Sequence, residues 1–66
     1  MIYNVPIFKN GDKVARIYVA TENVPRKGDY IHFHSDANTS HGSIVKNVVW
    51  RFDEHGNLKN IELCIE

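Results

Sequence analysis

Tyr30-Ile31-His32-Phe33-His34 is the stretch that decides the fold. Ile31 and Phe33 alternate with Tyr30, His32 and His34, the period-two pattern of a strand with one buried face. The connection before it, Thr21 to Gly28, carries Pro25 to fix φ and Gly28 to take φ > 0. Asp29 stands where its side chain can bond its own turn backbone. After it, Ser35-Asp36-Ala37-Asn38-Thr39-Ser40-His41-Gly42 reads as a long polar loop.

Working outward, residues 2–8 (Ile-Tyr-Asn-Val-Pro-Ile-Phe) are strand formers, and Pro6 marks an edge strand or a strand with a break. Asn10-Gly11 is a strong hairpin signal, because a type I′ turn needs φ > 0 at both central residues. A second strand follows over about Lys13 to Ala20, with Ala15, Ile17 and Val19 on one face and Arg16 and Tyr18 on the other. Downstream, Ser43 to Asp53 is the longest strand. Ile44, Val48, Trp50 and Phe52 share a parity that Lys46 interrupts, so a β-bulge near Lys46-Asn47 is expected. Glu54-His55-Gly56-Asn57 is a tight turn. Leu58 to Ile65 then points Ile61, Leu63 and Ile65 inward.

No window has useful helical periodicity, and turn signals recur about every ten residues, which favours a small barrel or sandwich. The expectation is one all-β domain spanning 1–66, a five-stranded antiparallel barrel or strongly bent meander with no substantial helix. Its expected core is Ile7, Ile17, Val19, Ile31, Phe33, Val48, Trp50, Phe52, Ile61, Leu63 and Ile65.

Composition narrows the function. The eight basic and eight acidic residues cancel, which disfavours binding driven by phosphate neutralisation. One cysteine, Cys64, permits no internal disulfide. The N-terminus lacks the basic and long apolar regions of a signal peptide, and no apolar run approaches the ~20 residues of a membrane span. A cytoplasmic protein with no membrane role is expected. At 66 residues the core barely offsets chain entropy, so a partner or homo-oligomer is a source of added stability.

The Pro25-x-x-Gly28-Asp29-x-Ile31 turn and the Gly42-x-Ile44/Val45-x-x-Val48-x-Trp50 strand resemble those of SH3-like barrels. They are similar in particular to short, single-domain bacterial or bacteriophage proteins. The resemblance covers about residues 24–65. It implies a barrel that binds protein, peptide or nucleic acid through loops and exposed strand faces.

Three of the four histidines fall in or beside the Tyr30 strand. His32 and His34 lie at i and i+2 on one face, and with His41 and Asp36 they form a conceivable Zn²⁺ ligand set. The string also resembles part of an H-x-H-x-D-H metal motif, which fails at Ala37. The preferred reading is that His32 and His34 are ordinary outward-facing strand residues and His41 lies in a solvated loop, so no metal is expected. Cys64 and the serines have no base and orienting acid in a recognisable pattern, so neither catalysis nor a cofactor is expected. Tyr18, Tyr30, His32, His34, Arg16 and Arg51 together suit an interaction surface, since they offer contact area at modest entropy cost. The same residue types also stabilise ordinary sheets through cross-strand pairs. The functional expectation is non-enzymatic docking onto a protein partner through the Tyr30/His32/His34 face and the Ser35–Gly42 segment. The alternatives are single-stranded nucleic acid stacked on that face or a His-ligated metal site.

Overall fold

Five strands follow one another in the computed structural model, which describes residues 1–66: β1 (Ile2–Lys9), β2 (Asp12–Ala20), β3 (Tyr30–Asp36), β4 (Thr39–Phe52) and β5 (Leu58–Ile65). A single turn of 3-10 helix, Thr21–Asn23, is the only helical element. The strands form one sheet in the order β2-β1-β5-β4-β3. It curls into a nearly closed barrel with one unsealed seam, between β2 and β3.

The sheet is mixed, which corrects the purely antiparallel expectation. Successive strands of a meander run up, down, up, down, up. The first and fifth therefore point the same way, and bringing them together makes a parallel pair. That pair is present: β1 and β5 run parallel from Ile7↔Leu63 to Lys9↔Ile65. It also makes β1 an inner strand rather than the edge that Pro6 suggested. The β1/β5 ladder begins at Ile7, immediately after the residue that has no N–H to donate.

Local chemistry places the turns. Asn10 and Gly11 have φ of 53° and 86°, the left-handed pair that a two-residue hairpin requires. Asp29 Oδ2 accepts the Arg26 amide at 2.9 Å, and Gly28 takes φ 94°. The Gly28 amide then donates to the Val45 carbonyl at 2.8 Å, which ties this turn to β4.

The expected bulge is present. Pairing of β4 with β5 steps from Val45↔Ile65 to Asn47↔Cys64, leaving Lys46 unpaired. Val45 thereby turns inward while Lys46 stays in water. Ile44 falls on the opposite face and pairs with Tyr30.

Seven residues are buried: Val5, Ile7, Phe33, Val45, Ile61, Leu63 and Ile65. Ile17, Val19, Ile31 and Val48 pack half-buried against them. Trp50 and Phe52 are not core residues, since they remain 42% and 58% exposed. Their inward parity is right, but β3 pairs with β4 only as far as Ile44. Beyond that point β4 has a strand on the β5 side alone, so its last inward residues look out of the barrel mouth.

The other correction concerns Ser35–Gly42, which is not a loop. Ala37 and Asn38 form a tight turn, and the residues on either side continue β3 and β4 as a paired hairpin arm. Every residue from His34 to Gly42 is exposed. The molecule measures 40 × 21 × 21 Å, in keeping with an arm that projects from the barrel.

Candidate functional site: an uncapped edge strand

β3 ends the sheet, hydrogen-bonded to β4 on one side and to no strand on the other, where β2 lies across the open seam. Strand parity sends Ile31 and Phe33 inward and Tyr30, His32 and His34 outward, opposite Ile44, Gly42 and Ser40 of β4. Tyr30 is 66% exposed, and its ring lies across Gly42. A Cβ at Gly42 would overlap the Tyr30 hydroxyl and ring edge, so only glycine leaves room for that placement. Next along the row, the His32 and His34 rings meet edge to face with centroids 5.5 Å apart.

His41 does not join them. It pairs with Phe33, which puts it on the opposite face of the arm. Its ring sits 5.4 Å from the Phe33 ring at 30°, and its Nε2 lies 3.2 Å from Ser35 Oγ. The His32/His34/His41 ligand set is therefore divided between two faces. No group of three or more His, Cys, Asp or Glu side chains is placed to hold a metal ion.

Asp36 serves the turn. Its Oδ1 accepts the Asn38 amide at 2.8 Å, and that hydrogen bond holds its carboxyl below the usual range. Arg51 also stands apart. Its Nε reaches Glu62 Oε2 at 3.1 Å on the β4–β5 side of the barrel, which holds the Glu62 carboxyl low. Arg16 and Tyr18 lie on β2, across the open seam from β3, and Tyr18 is 77% exposed. The geometry thus brings Tyr30, His32 and His34 into one row, with Arg16 and Tyr18 on the facing edge.

Two concavities were not foreseen in the sequence. One, of about 530 Å³, runs beneath the arm between Phe33, His41, Lys9 and Val14. The other, of about 480 Å³, lies between the β2–β3 connection and Trp50. Arg26-Lys27, the one adjacent basic pair in the sequence, lines the second, and assigning Trp50 to the core concealed it.

No helix is long and apolar enough to cross a membrane. No protein-family model, curated protein or solved structure matches the chain.

Proposed function

We propose that this chain is a non-enzymatic docking module of the SH3-like kind, which binds a protein partner through β3 and the hairpin arm. The observation that carries the reading is the contrast between the two sheet edges. A free edge presents unpaired N–H and C=O groups, and proteins blunt such edges with charge, proline or a cover. β2 is blunted by Asp12, Lys13 and Arg16. β3 carries no Lys, Arg, Glu or Pro, and its only charged side chain, Asp36, lies at its far end. An unblunted edge suits addition of a partner's extended strand: backbone bonds supply affinity and alternate side chains supply specificity. Tyr30, His32 and His34 would make those side-chain contacts, and the exposed Ser35–Gly42 arm would lengthen the surface. The setting that the resemblance implies is a bacterium or a bacteriophage, and the compartment we propose is the cytoplasm.

Tyr30→Ala with His34→Ala tests the proposal. Both side chains are exposed, so the double variant should keep its fold by circular dichroism and lose partner binding. Loss of the fold would make this face structural. Oligonucleotide binding with a steep salt dependence would reassign it to nucleic acid.

A further inference from the structure

The groove between the β2–β3 connection and β4 shares no residue with the β3 face. Val24, Pro25 and Val48 give it apolar walls, and Trp50, 42% exposed, also lines it. Arg26 and Lys27 stand at its rim. Neither makes an ion pair, since the ion pairs of the molecule are Arg51–Glu62 and His55–Glu54. Nor is the rim loose. The Asp29 amide donates to the Arg26 carbonyl at 3.0 Å, closing the turn that carries both cations, and Gly28 pins that turn to Val45.

An indole that lines the same groove as two unpaired cations suits a ligand that combines a flat or apolar group with negative charge. The number of charges separates two ligand classes. Single-stranded nucleic acid brings a phosphate at every step and is held by a continuous cationic track. Here the cations number two, and the carboxylate of Glu22 lines the same groove. A polyanion carries charge along its whole length and is repelled by that carboxylate more than a ligand with one negative group is.

We infer that the Trp50 groove binds an extended peptide segment in which one carboxylate side chain neighbours an apolar residue. The apolar residue packs on Trp50 and the carboxylate reaches Arg26 and Lys27. This is a second contact site, separate from the β3 edge.

Trp50 is the sole tryptophan, so its fluorescence reports on this groove directly. The probes are a pool of capped hexapeptides with a single Glu flanked by Leu, Phe or Pro, the same pool with Gln in place of Glu, and a short oligothymidylate. The Glu pool should shift Trp50 emission saturably, and the Gln pool should bind about tenfold more weakly. Arg26→Ala with Lys27→Ala should cost the Glu pool a similar factor, because the same two charge contacts are lost. Tyr30→Ala with His34→Ala should leave the titration unchanged. Equal response to the Glu and Gln pools, tighter binding of the oligothymidylate, or no saturable response would each overturn the inference.

Discussion

Gly42→Ala is the perturbation with the most to say about the β3 face. Gly42 is not among the positive-φ glycines, so its backbone accommodates alanine. Glycine within a strand costs roughly 0.5–1 kcal/mol relative to alanine, and removing that cost should stabilise the barrel. Tyr30 opposes the gain. Its ring occupies the space the new methyl needs, and a cross-strand aromatic contact contributes about 0.2–1 kcal/mol. Displacing the ring should therefore cancel most of the gain, and Gly42→Ala alone should be near neutral. In a Tyr30→Ala background nothing blocks the methyl, and the full gain of roughly 0.5–1 kcal/mol should return. The double-mutant cycle thus carries a coupling of about 0.5–1 kcal/mol. With a slope near 1 kcal/mol/M for a domain of this size, that is about 0.5–1 M in the urea midpoint. If Gly42→Ala raised the midpoint equally in both backgrounds, Tyr30 would not lie across Gly42, and the ordered outward row would lose its anchor.

Three further outcomes follow from the packing and the electrostatics. Phe33→Ala should cost about 3–5 kcal/mol, a large part of the roughly 3–10 kcal/mol that a chain of this length holds. Phe52→Ala, at a residue 58% exposed, should cost well under half as much, and equal urea midpoints would contradict the core assignment. Asp36, Asp53 and Glu62 have carboxyls held low by bonds from the Asn38 amide, the Asn57 amide and the Arg51 guanidinium respectively. A lowered folded pKa stabilises the fold above the unfolded value, about 4, and that contribution is lost as pH falls through the folded value. The urea midpoint should accordingly decline below about pH 4, and Asp53→Asn should flatten part of that decline; an unchanged slope in the variant would refute the assignment. Zinc added to the protein should never shift the NMR signals of His32, His34 and His41 together, because the arm holds His41 on the other face, and a concerted stoichiometric shift would refute that division.

Much of this barrel is legible in the chain because its devices are local. Asn10-Gly11 and the turn before β3 depend on φ > 0 at residues that tolerate it. The bulge at Lys46 follows from a charge that breaks an otherwise apolar parity. What stayed hidden depends on distant partners. The arm from Ser35 to Gly42 is wet on both faces, so its strands lack the apolar–polar alternation that marks a half-buried sheet, and their polar residues imitate a loop. Trp50 and Phe52 have the parity of core residues, and only the early departure of β3 exposes them. Val5 sits beside Pro6, whose edge-strand signal hid that β1 is an inner strand. The row Tyr30, His32 and His34 could be read from alternation alone. The separation of His41 from it could not, since that depends on the hairpin register.

The most direct test of the docking claim places a photo-cross-linking amino acid at His34 on the arm. A second protein carries it at Lys59, beside the β5 residue that faces Phe52 at the far end of β4. Both proteins are irradiated in living bacterial cells and the adducts identified by mass spectrometry. The account predicts a discrete protein adduct from His34, none from Lys59, and loss of the His34 adduct when Tyr30→Ala is added. Adducts of the same proteins in the same yield from both positions would contradict it.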